Sequence, residues 1–430
     1  MTIAPNRSMA PPLQPVTQLY LPRPEQLQFD NGIPVYLFNT EVQEVALVKL
    51  VFEAGKWQEP QRLVARFTNS LLEEGTANYT SRQLAEEIEF YGANLITRTS
   101  NNHAEVVLSC LNKHLPNLLP LLQEIITQAT FPEEELQTEV RKARQRLMVN
   151  RQKTEYLADN RFRELIFGAN HPYGYHAGEE DLNALSTGLL KSFYHSHYTP
   201  ARCTVYLGGK FTQHHLQRIN QYLGTTHWSN GLPPTADPLV APPPVFTPHT
   251  EYISKPNAMQ AAIRIGKPMF NKSHPQYKAM LFVNTLLGGF FGSRLMRNVR
   301  EDKGFTYGIY SALVSMLNGG CFEVAAEVNQ NVWQAAVKEI FYEISRLKTE
   351  PVSGQELNTV RNYLLGRLLQ QVDGTFNLLS TVQSLLMYHL DVNYYQELVQ
   401  TIQSISALDI QQLAEQHLNE TDFLQVVAGA

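Results

Sequence analysis

Cysteine is scarce in this chain: 430 residues carry three, Cys110, Cys203 and Cys321, each isolated inside an apolar or strand-like stretch. An odd number without paired spacing favours buried free thiols in a reducing compartment over disulfides or a metal cluster. Charge of one sign is also missing. Lys and Arg total 35 against 40 Asp and Glu, a formal net charge of -5 at pH 7, so nothing in the balance selects for a nucleic-acid partner. No apolar run approaches a membrane span, and the first twenty residues, with four prolines, hold no signal-sequence core. These absences predict a cytoplasmic protein with no membrane partner. Neither H-x-x-E-H nor H-E-x-x-H occurs, so the helix-borne motifs that hold a catalytic zinc are absent.

What is present is length and repetition. A chain of 430 residues with 43% hydrophobic and 17% charged content exceeds one comfortable core, so two domains are expected. Residues 184–209 (ALSTGLLKSFYHSHYTPARCTVYLGG) overlay 404–429 (SISALDIQQLAEQHLNETDFLQVVAG) without a gap, pairing Ser186 with Ser406, His197 with His417 and Gly209 with Gly429. Glu135-Leu-Gln-Thr similarly answers Glu356-Leu-Asn-Thr. A period this long is no solenoid repeat; it predicts two copies of one α+β domain, each an antiparallel-rich sheet packed with helices. We divide the chain into an extended N-terminal arm (1–24), a first domain (25–228), a linker (229–250) and a second domain (251–430). The linker is stiff, since Gly231 to Pro248 holds seven prolines.

Local signals fill in the elements. Asn31-Gly32 between short apolar runs predicts a hairpin, and Val45 to Phe52 a strand. A helix is expected from about Gln61 to Glu74, closed by Gly75. Thr80 with Gln83 forms a capping box opening a second helix. Strands at 94–100 and 104–111, a helix near 118–129 and a long charged helix from Pro132 follow.

The most informative stretch is Leu286 to Ser311, LLGGFFGSRLMRNVREDKGFTYGIYS. Leu295, Met296 and Val299 give a short helix one apolar side, Gly304 sits where a left-handed cap belongs, and the period changes to that of a strand. Arg300 then falls in the last turn of a helix and Tyr307 at the start of the next strand. Taken alone, Arg300 reads equally as a solvated helix-end cation and Tyr307 as an ordinary strand aromatic. A phosphate-cradle reading of Gly288 to Gly292 fails, because the loop has neither the P-loop lysine nor the G-x-G-x-x-G spacing.

Gly288-Gly289, Ser293-Arg294-Leu295, Arg300-Glu301-Asp302-Lys303-Gly304 and Tyr307 resemble, in order, the C-terminal half of the pitrilysin/insulinase-like zinc metallopeptidases, the inverted zincins, in particular the two-subunit branch typified by mitochondrial processing peptidase. The resemblance implies a role for Arg300 and Tyr307 in trans, holding substrate backbone near the scissile carbonyl of a partner's zinc site. It also implies a substrate-facing loop at Gly288, Gly289 and Gly292. The first half should then carry H-x-x-E-H. Aligned through Phe67 and Gly75-Thr76, the first His position is Arg66, the base Glu is Asn69, the second His is Ser70, and the third ligand falls at Gln145 or Arg146. Zinc needs deprotonated N, S or carboxylate donors and its water needs a base, so this chain is expected to bind no cofactor and to hydrolyse nothing alone.

Two readings of function follow. In the first, the chain is the non-catalytic subunit of a heteromeric zinc metallopeptidase: a paralogous partner bears the zinc, this chain closes the peptide chamber, and a homodimer can form in isolation. In the second it is a catalytically silent scaffold or peptide-binding protein on the same fold. Arg66 and Arg146 are further expected to meet where a dication would have been, holding Glu73 or Glu74, or an anion. His195-x-His197, on a predicted helix, reads as packing or surface histidines.

Overall fold

The computed structural model describes residues 16–40, 43–225, 228, 242–243 and 245–430. Most of the predicted linker and the first fifteen residues of the arm lie outside them. Eleven strands are present among the described residues: β1 (Glu25–Gln28), β2 (Pro34–Asn39), β3 (Val45–Phe52), β4 (Asn94–Thr99), β5 (Ala104–Leu111), β6 (Cys203–Gly209), β7 (Thr250–Ile253), β8 (Gln260–Pro268), β9 (Thr306–Met316), β10 (Gly319–Asn329) and β11 (Leu424–Ala428).

They form two sheets of the same plan. The first runs β1-β2-β6-β3-β5-β4 and the second β7-β11-β8-β10-β9. Without the β1 hairpin strand, the two orders correspond strand for strand, down to the one parallel pair in each, β2 with β6 and β7 with β11. The duplicated segment keeps this correspondence in detail. Helix Thr187–His197 answers Ala407–His417, the 3-10 turn Pro200–Arg202 answers Glu420–Asp422, and the side chains of Ser186 and Ser406 each cap their helix. The fold is α+β with two homologous domains.

The expected hairpin forms at Asn31-Gly32, with Gln28 opposite Pro34 and Gly32 at φ +90°. Thr80 and Gln83 make the reciprocal capping box. The helix expected over 61–74 is shorter: only Val64–Ser70 is helical, because Leu63 enters it at φ +76° and Leu71 already leaves helical geometry.

Both faces of each sheet are covered. In β3, Ala46, Val48, Leu50 and Phe52 face one core while Leu47 and Val51 face another, the two-residue period of a strand buried on both sides. The second face is covered in exchange. Helix Thr154–Phe167, from the first half, lies on β8 and β11 of the second sheet; helix Thr375–Met387 lies on β6 of the first. Each central strand sends a buried cation to the visiting helix: Lys49 Nζ donates to Gln383 Oε1 at 2.8 Å, and Arg264 Nε donates to Asp159 Oδ1 at 2.5 Å. The described part of the arm joins the second half, where Leu19 N donates to Gln396 Oε1 and Leu19 and Leu21 are buried.

Candidate functional site

The segment singled out in the sequence forms the exposed edge of the second sheet. Leu295, Met296 and Val299 are buried, which anchors the turn of helix Met296–Asp302, wound with wide π-type bonds such as Lys303 N to Asn298 O. Gly304 takes φ +64°, a conformation that costs a side chain strain, and releases the chain into β9. Arg300 ends the helix with its guanidinium carbon 4.4 Å over the Phe291 ring, in cation-π contact. Tyr307, on the edge strand, is 96% exposed. Phe291, Tyr307 and Tyr310 line one cavity of about 430 Å³ with Phe290, Met296 and Glu327. The structure therefore brings Arg300 and Tyr307 to the same aromatic patch.

The glycines before it differ in the space they have. Gly288 is buried, and a Cβ there would lie 2.5 Å from Ser311 N on β9. Gly289 backs onto Asn284 and Thr285, and a Cβ at Gly292 would meet the Phe290 ring at 2.8 Å. Of the three, Gly288 is a packing contact beneath the edge strand and not part of an open loop.

The positions aligned with the zinc motif lie on the other half. Asn69, in place of the base, is 1% exposed and fully engaged: Nδ2 donates to the carbonyls of Arg98 (2.9 Å) and Glu105 (3.2 Å), and Oδ1 accepts from Tyr198 Oη at 3.0 Å. It ties its helix to β4 and β5. Ser70 Oγ turns back to Phe67 O. Gln145 and Arg146 are exposed on helix Glu133–Asn150, and Arg146 lies 3.7 Å from Glu139. This set, two guanidiniums, two amides and a hydroxyl, does not fit zinc, which takes deprotonated nitrogen, sulfur or carboxylate donors.

Arg66 and Arg146 do meet, lining one cavity of about 380 Å³. The carboxylates expected to hold them do not. Glu73 Oε1 accepts from Thr97 and Glu74 Oε2 from Ser81; neither lines the cavity, and the acid paired with Arg146 is Glu139. Burial, with the neighbouring Glu74 charge second, pushes the Glu73 carboxyl up to about 7. Sequence reasoning missed other polar members of this cavity, among them Lys56, Glu59, Tyr175 and His176. Glu59 is wholly buried, accepts the helix-opening Ala65 N–H and hydrogen-bonds the Tyr175 hydroxyl; burial pushes it up to about 8. No local signal marks them, since they come from segments more than a hundred residues apart.

His197 is 4% exposed, stacked on Phe193 at 4.2 Å with Nδ1 3.1 Å from Phe193 O, and burial pushes it down to about 4. Among the described residues no group of three or more His, Cys, Asp or Glu is placed to hold a metal ion. No helix among them is long and apolar enough to cross a membrane.

Two family profiles match in tandem: "Insulinase (Peptidase family M16)" over residues 35–171 and "Peptidase M16 inactive domain" over residues 184–364. The chain is similar to "Uncharacterized zinc protease YmxG" of Bacillus subtilis, 23% identical over 350 residues that cover 80% of this chain and 83% of the relative. It is also similar to "Non-peptidase homolog YmxG" of Helicobacter pylori, 24% identical over 407 residues, covering 91% and 90%. Its fold matches the crystal structure of a peptidase M16 inactive domain from Pseudomonas fluorescens with a TM-score of 0.82 at 21% identity, covering 94% of this chain and 98% of that one.

Proposed function

This chain belongs to the insulinase peptidase family M16, and from that premise we propose that it is the non-catalytic subunit of a heteromeric zinc metallopeptidase. The partner, a paralogous chain with H-x-x-E-H, supplies zinc and base. This chain completes the peptide-holding chamber and lends Arg300 and Tyr307 to the partner's zinc site. One contrast carries the reading: the zinc positions have been turned to structure and positive charge, while Arg300 and Tyr307 remain presented on an exposed aromatic patch.

The chemistry asked of the pair is modest. A guanidinium and a phenol are donors that stabilise charge developing on a carbonyl oxygen, and one such donor contributes roughly a hundred- to a thousand-fold in rate. The edge of β9 beside them offers unpaired backbone groups to an extended peptide, a common mode of peptide recognition. Three buried free thiols support assignment to the cytoplasm.

The test is isolation of the protein with its native partners and reading any equimolar partner for H-x-x-E-H. In that complex Arg300→Ala or Tyr307→Phe is expected to cut kcat about a hundredfold or more while bound zinc is unchanged. A self-associated protein alone, or a partner without the motif, would overturn the divided site. The remaining reading would then be a scaffold or peptide-binding protein, which the Helicobacter pylori relative, named a non-peptidase homolog, favours.

A further inference from the structure

The cavity shared by Arg66 and Arg146 gathers positive charge. Lys56, Arg66 and Arg146 line it, and among the described residues the one carboxyl in its lining is Glu59. That carboxyl is already engaged, capping Ala65 N and bonded to Tyr175, and its burial keeps it protonated near pH 7. The cations also act on one another. Although Arg66 reaches solvent, desolvation first and the Arg146 charge second pull its proton affinity down. Lys56 is pushed down by burial, partly offset by Glu59, and the Arg66 charge pushes further the same way as burial. Glu139 is the acid that acts on Arg66, and it is held by Lys142 at 2.6 Å as well as lying 3.7 Å from Arg146.

The walls are of another kind. Leu63, Leu147, Leu182 and the ring of Tyr156 face the same space, so an inorganic ion alone would leave apolar surface uncovered. Leu63 also holds φ +76°, the sort of strained position that concentrates at ligand sites. At about 380 Å³ the cavity falls within the ordinary size of a small-molecule pocket.

We propose that this cavity binds the C-terminal carboxylate of a short peptide ending in an apolar residue, with Arg66 and Arg146 on the carboxylate and the apolar side chain against Leu63, Leu147 and Leu182. The geometry suits it: guanidiniums take a carboxylate through paired, charge-assisted bonds, and the apolar wall supplies the preference for what is attached. The inference rests on the peptide-holding reading above and gives the chamber a polarity, since it fixes one end of the peptide. Its test needs no partner, so its failure is separable from that of the divided active site.

The full chain is titrated calorimetrically with N-acetyl-Ala-Leu, with its C-terminal amide, and with inorganic phosphate. The acid is expected to bind saturably at one site and the amide about tenfold more weakly or worse. Arg66→Met and Arg146→Met should each weaken the acid by about the same factor, while Arg144→Met, whose side chain pairs with Glu179 and Asn183 outside the cavity, should leave it within about twofold. Because the two guanidiniums repel each other, both cavity variants are expected to melt at or above the wild-type temperature without ligand, which separates lost binding from lost folding. Equal binding of acid and amide, no saturable binding of the acid, full binding by Arg66→Met, or phosphate binding as tightly as the acid would each overturn the proposal.

Discussion

Glu59 shows how a single buried group can set the pH response of the whole chain. Its carboxyl is raised to about 8 by burial, against an ordinary value of 4.5, so between those limits the folded protein keeps a proton that the unfolded chain has released. Stability rises with pH only where the unfolded state binds more protons, and here it binds fewer, so this group's contribution falls as pH rises from about 5 to 8. Three histidines act in the opposite sense. His171, His176 and His197 are held below their ordinary 6.5, and their effect is complete once pH passes that value. Between about pH 6.5 and 8 the falling trend is therefore exposed, with Glu73, raised to about 7, adding to its lower part. Glu59→Gln should flatten it, and urea unfolding across that range checks the prediction. An unchanged slope in the variant would mean that Glu59 is ionised in the folded protein.

At the scale of the element, the strand that presents Tyr307 depends on two glycines for different reasons. Gly304 needs a backbone conformation: φ is +64° and a Cβ would meet nothing within 4 Å. Gly288 needs room, since a Cβ would press against Ser311 N at 2.5 Å and Ser311 Oγ at 2.7 Å. Asn tolerates the left-handed region, so Gly304→Asn is expected to be mild. Gly288→Ala must move β9 or its own helix and is expected to cost about 1 to 3 kcal/mol as an overpacked contact. Thermal melting of the two variants checks the order; a Gly288→Ala protein as stable as wild type would show that the edge strand gives way freely. Because Ser311 lies on the same strand as Tyr307, that substitution should also lower turnover in the complex.

Across the whole molecule the duplication has become an exchange of helices. Arg264 is 1% exposed at the centre of the second sheet and is neutralised by Asp159, on the helix from the first half, and by Glu327 on β10 at 2.8 Å. The near equivalent on the first sheet is weaker in charge: Lys49 donates to the amide of Gln383, which in turn donates to Glu105. Burial pushes the Lys49 ammonium down, partly offset by Glu105, whereas the two carboxylates hold Arg264 firmly protonated. Replacing both acids, Asp159→Asn with Glu327→Gln, leaves a buried guanidinium without its two paired carboxylates, the nearby Glu323 being held by Arg163 at 3.3 Å. A loss of about 3 to 5 kcal/mol is expected in denaturant unfolding. If the halves instead separate into two transitions, the clasp is what couples them, and a change under about 1 kcal/mol would show that solvent reaches Arg264.

Features carried by a few neighbouring residues were legible before any coordinates. The Asn31-Gly32 turn, the Thr80 box, the left-handed Gly304, the alternation through β3 and the repeat at 184–209 and 404–429 are short-range patterns, and each leaves a local mark. So did the replacement of the zinc motif and the placing of Arg300 and Tyr307 around one helix end. Other properties were set only by the tertiary structure. The task of Asn69 as a tie between Arg98, Glu105 and Tyr198 depends on three segments folding against one helix. The exchange of helices depends on which face of each sheet remained uncovered. The meeting of Lys56, Arg66 and Arg146 around a protonated Glu59 depends on burial, which arises only when helices distant in the chain close over the cavity. Periodicity reports which side of an element is apolar; it carries no record of which other element will cover that side, and the charges and proton affinities at the contact follow from that choice.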